Sequence, residues 1–368
     1  MKFSCERDAI ISEISIAQEI ISSKNVLSIL SNVLLTAEEG KLLIRATDMK
    51  VGFETVIPVE VGDPGFTTVF CDKLLGILRA LPSGEVEFSL AENMMLTIKP
   101  IFKKIDFKLK SISSERFPEL QAIQEEHFFD FSQKDFIEMV SSTIFAISDD
   151  ETRYFMNGVY LEKADDHLVM VASDGRRLSY ISKDAAAGVP NIKGMIIPPK
   201  ILNMLRKLLP GEGNLSLCIT DKNIFARFGS NRLSSSLIEG QFPNYQRVIP
   251  QHQEQRVIVE KELLESALRR VSLLVEQKSR RVFMKIEEDN LIVSSEESDI
   301  GMAREEIPCR YQGPEAEIAL NCLYLMEPLR EMKEESISID FTDTNKAITI
   351  KSVPEKDYLH IIMPMQVK

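Results

Sequence analysis

Two short runs in this 368-residue chain place a carboxylate behind a hydroxyl: Thr47-Asp48 and Ser173-Asp174. Paired carboxylates can exchange protons with a substrate. At a strand end before a turn, however, Asp more often accepts hydrogen bonds from its own backbone two residues on. That structural role is the expectation for both. Gly175-Arg176-Arg177 lacks the Gly-x-x-x-x-Gly-Lys spacing of a phosphate loop, and the chain has no Gly-x-Ser-x-Gly elbow and no His-x-x-x-His pair. Five cysteines, Cys5, Cys71, Cys218, Cys309 and Cys322, are scattered without a Cys-x-x-Cys pair. The histidines His127, His167, His252 and His360 lie far from them in sequence. Disulfide frameworks and zinc sites need clustered ligands. Reduced, buried thiols are expected, with no metal, no cofactor and no catalytic residue.

The remaining chemistry is charge. Net charge is −12, so the surface as a whole repels nucleic acid. Local potential still decides binding, and the basic residues are not spread evenly. Lys73 and Arg79 fall on one predicted helix, Lys200, Arg206 and Lys207 on a second, and Arg330 and Lys333 on a third. Lys278, Arg280 and Arg281 follow another. Any one of these reads as a solvated face or a partner of a helix C-terminus. Their recurrence at matched positions points to one shared basic surface, suited to phosphates and blind to base sequence.

The matched positions belong to a long internal repeat. Each copy opens with a short strand and an amphipathic helix. The apolar stripes are Ile10, Ile14, Ala17 and Ile21, then Phe136, Val140, Ile144 and Ile147, then Leu263, Leu264, Ala267, Leu268 and Val271. Hairpins follow, each turning on polar residues such as Glu38-Glu39-Gly40, Asp165-Asp166 and Asp289-Asn290. A second helix is predicted at 72–81, 199–209 and 322–333, with further hairpins after it. Copies one and two end alike, at Phe117-Pro118-Glu119-Leu120 and Phe242-Pro243-Asn244-Tyr245, and copy three ends at Met363-Pro364-Met365. The fold expected is α+β: three tandem modules, each with two helices on antiparallel sheet, spanning 1–125, 126–251 and 252–368. No segment has the run of apolar residues a membrane helix needs. The first residues lack a signal core, and a cytoplasmic location is expected.

In order along this repeat stand Leu27-Ser28-Ile29-Leu30-Ser31-Asn32, Thr47-Asp48-Met49-Lys50-Val51-Gly52, Arg153-Tyr154-Phe155-Met156-Asn157-Gly158, Ala172-Ser173-Asp174-Gly175-Arg176-Arg177-Leu178, Glu239-Gly240-Gln241-Phe242-Pro243-Asn244-Tyr245-Gln246-Arg247-Val248-Ile249-Pro250 and the C-terminal Met-Pro-Met. With these blocks the whole chain resembles the bacterial DNA polymerase III β subunit, the sliding clamp. The resemblance implies a non-enzymatic, head-to-tail homodimer. Each protomer would form half of a closed ring around double-stranded DNA, conferring processivity on the polymerase. It implies Phe107, Leu273 and Leu274 at the dimer interface. It implies DNA contacts at Lys24 and Tyr154, with Phe155 standing where a second tyrosine is usual. Arg79, Lys200, Arg206 and Arg280 are expected to join them. It also implies a pocket for short peptides of the polymerase alpha subunit, the clamp loader delta subunit, other polymerases and repair proteins. That pocket would be built from Met156, Ser173, Gly175, Arg176, Arg177, Leu178, Pro243, Arg247, Val248, Ile361, Met363, Pro364 and Met365. Arg176 replaces a frequent histidine and the chain ends Gln366-Val367-Lys368; both bear on which peptides are preferred. Two rivals stand beside this reading: an enzyme using Asp48 or Asp174, and a monomeric adaptor with the same pocket.

Overall fold

The computed structural model describes residues 1–21, 29–121, 127–185 and 188–366. Six helices carry the repeat: α1 Arg7–Ile20, α2 Cys71–Ala80, α3 Gln133–Ser141, α4 Pro199–Leu208, α5 Lys261–Val271 and α6 Cys322–Glu331. They pack in pairs, α1 on α2, α3 on α4 and α5 on α6. One face of each is apolar and sunk, as with Ile10, Ile14, Ala17 and Ile20 in α1, or Ile201, Leu202, Met204 and Leu205 in α4. Burying each such side chain contributes roughly 1.5–3 kcal/mol. Local chemistry fixes the ends. Ser132 and Asn321 cap α3 and α6 through side-chain oxygens, and α4 opens on Pro199, where a missing N–H costs nothing.

The copies agree in a detail no residue identity announces. The N–H of the first residue of the first helix bonds to a carbonyl just before a later strand: Arg7 to Gly84 at 3.0 Å, Gln133 to Gly213 at 3.0 Å, Lys261 to Glu335 at 2.9 Å. In copies one and three a thiol opening the second helix donates to a carbonyl of the first, Cys71 to Ile14 and Cys322 to Leu268. The expected apolar stripe of copy two is corrected. α3 stops at Ser141, so Ile144 lies in the short 3-10 turn Ile144–Ala146 and Ile147 caps it. Thr143 ends the helix by bonding its hydroxyl back to the Met139 carbonyl at 2.7 Å.

The chain divides into two compact units, residues 1–131 with 214–237, and residues 132–213 with 238–368. Among the described residues each holds one antiparallel sheet, of thirteen and twelve strands. In the first unit, strand Asn231–Ser236 of copy two pairs with Val51–Pro58 of copy one, Ser234 opposite Gly52. A Cβ at Gly52 would lie 2.6 Å from the Ser234 hydroxyl, so the close approach requires glycine. In the second unit, strand Arg177–Asp184 of copy two pairs with Tyr358–Ile362 of copy three, Leu178 opposite Ile361 and Ser179 opposite His360. The sheet thus runs on from one copy into the next.

His360 is wholly buried in that seam. Its ring lies 5.5 Å from that of Phe145. Burial, then the nearby Arg177 guanidinium, hold its pKa down to about 3, against a smaller opposing pull from the Tyr324 backbone. The unfolded chain takes up this proton near pH 6.5 and the folded chain does not. The neutral imidazole therefore supports the fold fully above that pH, and the support is lost as pH falls toward 3. Urea unfolding between about pH 7 and pH 5 should lose up to about 1.4 kcal/mol of stability per pH unit below 6.5. The slope should flatten in His360→Leu; equal slopes in the two proteins would contradict this account.

Candidate functional site

The two hydroxyl–carboxylate runs form the same turn. In copy two the Asp174 carboxylate accepts from the N–H groups of Arg176 at 2.8 Å and Arg177 at 3.0 Å. The Ser173 hydroxyl donates to the Arg177 carbonyl at 2.7 Å and accepts from the Gly175 N–H at 3.1 Å. In copy one Asp48 accepts from Lys50 and Val51, and Thr47 donates to the Val51 carbonyl and accepts from the Met49 N–H. The left-handed position of the turn is Gly175 at φ +84° and Met49 at φ +78°. Both carboxylates accept from backbone N–H groups, as the spacing suggested, and Asp174 also takes the Arg177 guanidinium.

Arg177 closes the copy-two turn from below. It is buried, pairs with Asp174 at 3.1 Å and with Glu327 of α6, and bonds to the Phe145 carbonyl. Its guanidinium lies 4.4 Å from the Tyr324 ring centroid. A buried arginine with both carboxylate and aromatic partners is well satisfied. It ties copy two to the helix of copy three.

Around this turn the structure gathers most of the expected peptide-pocket residues. Met156, Leu178 and Ile361 share one buried cluster with Val169, Val171, Ile196, Phe242 and Tyr245. The C-terminal segment is strapped alongside, the Met363 N–H on the Arg176 carbonyl at 2.9 Å and the Met365 N–H on the Ala319 carbonyl at 2.8 Å. Met363 stands exposed, while Pro364 and Met365 are half-buried. Pro243, Arg247 and Val248 are exposed neighbours of the sunk Phe242 and Tyr245. The result is an apolar floor with an exposed rim of Val248, Met363 and arginines. Tyr324, Glu327 and Glu162 belong to this neighbourhood and were not read from the sequence. Glu327 and Tyr324 lie on a helix one copy away, and nothing local to them marks the partner.

The basic positions are placed as follows. Arg79 and Arg206 are exposed in the last turns of α2 and α4, where the helix dipole favours cations. Lys200 is half-buried in the first turn of α4. Arg280 is exposed beyond α5 at φ +50°. Lys333 is not on α6, which ends at Glu331; it pairs with Glu138 at 3.5 Å. Tyr154 is exposed, its ring 5.8 Å from that of Phe155 and edge-on to it. Lys24 lies outside the described residues, as do Val367 and Lys368.

Of the expected interface residues, Leu273 is 80% exposed and Leu274 half-buried. Beside Leu274 sits Gly301, flanked by Ile300 at 84% exposure and exposed Met302. Phe107 opens strand Phe107–Ile112, whose residues 107–110 pair with Met95–Pro100 and have no strand on the other edge among the described residues. Residues 304–308 of strand Arg304–Arg310 are likewise paired on one side only. The apolar residues Phe102, Ile300 and Met302 were missed, because their segments show no periodicity.

All five thiols are free and buried. Burial pushes Cys5 and Cys71 up to about 12 and Cys309 and Cys322 up to about 11, so they are poor nucleophiles. Among the described residues no group of three His, Cys, Asp or Glu side chains could hold a metal, and no helix is long and apolar enough to cross a membrane.

Paired helices on extended antiparallel sheet, repeated three times along the chain, define a repeated α+β scaffold. Family models of the DNA polymerase III beta subunit match in turn: N-terminal domain over residues 1–121, central domain over 130–244 and C-terminal domain over 246–366. The beta sliding clamp of Treponema pallidum (strain Nichols) is 47% identical over 370 residues, covering 100% of both chains. The solved sliding clamp of Bartonella birtlesii, bound to griselimycin, superposes with a TM-score of 0.94 at 30% identity, and the DNA polymerase III subunit beta of Pseudomonas aeruginosa with 0.94 at 27%, each over 100% of both chains. The chain belongs to the DNA polymerase III beta subunit family, the beta sliding clamps. It is a non-catalytic processivity factor of DNA replication, so the reading of Asp48 or Asp174 as catalytic falls away.

Removing the Asp174 carboxylate should therefore cost stability rather than chemistry. Asp174→Ala should lower unfolding stability by about 2 kcal/mol, the scale of lost hydrogen bonds to a charged group, measured by urea denaturation. An unchanged midpoint would show that the turn does not depend on it.

Proposed function

We propose that this clamp acts as a head-to-tail homodimeric ring around duplex DNA and docks short peptides at the Ser173–Arg177 turn. The single observation that carries the docking half is the C-terminal strap. Met363 is held on Arg176, beside an apolar floor shared by Met156, Leu178 and Ile361. Flexible methionines over an apolar floor accept varied sequences. Ser173 and Gly175 shape the turn, Arg177 anchors it, and Pro243, Arg247, Val248, Pro364 and Met365 complete the rim. The partners of this site are the polymerase alpha subunit, the clamp loader delta subunit, and other polymerases and repair proteins, met in the cytoplasm.

The ring half rests on the two one-sided strands. Exposed Phe102 lies in the turn that leads into the first edge, and exposed Ile300 and Met302 in the segment that leads into the second. Unpaired edges with apolar flanks invite a partner strand. Pairing one protomer's first edge with its partner's second gives a heterologous contact that closes. Lys108 and Lys110 lie on the first strand; on the second, Glu305 and Glu306 already pair with Arg270 and Arg304. Phe107, Leu273 and Leu274 sit in this contact. Copies bounded at 1–125, 126–251 and 252–368 then supply six modules, and Lys24, Arg79, Tyr154, Lys200, Arg206 and Arg280 meet phosphates without reading sequence.

Two measurements decide this. Solution mass at micromolar concentration should be that of a dimer, and loaded protein should stay on circular DNA and run off linearised DNA. A monomer, or equal loss from both, would sink the ring. Replacing Met363, Pro364 and Met365 with alanine should weaken a Gln-Leu-rich peptide about thirtyfold or more, the scale of interface hot spots. Unchanged affinity would refute the site.

A further inference from the structure

Glu162 has no part in the roles assigned above, yet its carboxylate is fully engaged. One oxygen accepts from the Tyr160 hydroxyl at 2.8 Å and the other from the Tyr245 hydroxyl at 2.6 Å. The rings form a continuous knot. Tyr160 stacks on Phe242 at 4.9 Å between centroids and lies 6.1 Å from Tyr245, which lies 5.9 Å from Tyr180. Gly194 leaves room for the knot, since a Cβ there would fall 1.8 Å from the Tyr160 hydroxyl.

What the knot holds is the wall of the docking site. Ile238 bonds to the Ile196 carbonyl at 2.9 Å, and strand Gln255–Glu260 begins the next regular element. Between them the only regular structure is the 3-10 turn Tyr245–Arg247. A stretch so poor in backbone bonds takes its position from side-chain anchors. From 241 to 248 two residues are buried, Phe242 and Tyr245, and exposed Pro243, Arg247 and Val248 are set directly beside them. Tyr245 ends on Glu162, and Phe242 lies against Tyr160, which ends on Glu162 as well.

We propose that Glu162 is a positioning residue for peptide docking. By fixing Tyr160 and Tyr245 on one carboxylate, it sets where Pro243, Arg247 and Val248 stand for an incoming peptide. The inference rests on the reading of that site as peptide-binding. A neutral substitute cannot accept both phenols with charge-assisted bonds, and a phenol left without its acceptor lets the wall drift.

The test is the affinity of the full chain for a fluorescein-labelled Gln-Leu-rich peptide. Glu162→Ala should weaken it about tenfold, the worth of roughly one charge-assisted hydrogen bond. Tyr245→Phe should weaken it by a similar or smaller factor, and the double variant no further than Glu162→Ala alone, which already removes the Tyr245 bond. Glu162→Gln, nearly isosteric, should lose several-fold while keeping the solution mass of the wild type, and it serves if the alanine variant does not fold. The chain has seven tyrosines and no tryptophan, so near-ultraviolet spectra report the phenols directly. Both Glu162 variants should shift the tyrosine band and bring phenol ionisation to lower pH. Wild-type affinity in Glu162→Ala, or losses that add in the double variant, would overturn the inference while leaving the docking site intact. Failure of the wild type to bind, or full binding by Met363→Ala, would overturn the site itself and the inference with it.

Discussion

The edge of a β-strand is the constraint on which this molecule depends. Every unpaired N–H and C=O along it must find a partner or face water. A single module of this kind would expose edges on both sides. Here the copies resolve that by lending strands to one another: Asn231–Ser236 extends the sheet of copy one, and Tyr358–Ile362 closes onto copy two. The helices then need only cover one face of a sheet that is already continuous. Among the described residues, stretches 107–110 and 304–308 of the first and third copies stay paired on one side only.

The same seam builds the apolar floor between copy two and copy three on which the proposed docking site rests. Pairing Leu178 with Ile361 places a turn rich in backbone donors and acceptors next to a strand that runs out into Met363. Arg177 fastens the turn through Asp174 and Tyr324, and Glu162 joins Tyr160 and Tyr245. In copy one the twin turn at Thr47–Val51 has the same hydrogen bonds, but its strand pairs instead with Asn231–Ser236. Equivalent turns thus acquire unequal surroundings.

Much of this was legible in the sequence. Helices α1, α2, α4, α5 and α6 fall within a residue or two of their apolar periodicity, and the Asp48 and Asp174 turns follow from their position at strand ends. Copy two misled where Ile144 and Ile147 continued the helical spacing past Thr143, whose hydroxyl ends the helix. Ser173 to Leu178 were singled out through resemblance. Glu162 and Tyr324 were not, because a lone acid in a strand and a lone aromatic in a helix look like solvated and core positions. Their meaning comes from partners brought close only by folding, such as Tyr245 for Glu162 and Arg177 for Tyr324.

The division of copy two between the two compact units has a consequence for how the chain can be cut. The middle repeat is one copy in sequence, yet its residues fall in two compact units. Residues 214–237 hand their strands to copy one, and residues 132–213 commit theirs to copy three. An excised middle repeat would carry two raw sheet margins in place of one finished surface. The compact pieces of this protein are therefore defined by its sheets, and the period of its sequence does not mark them.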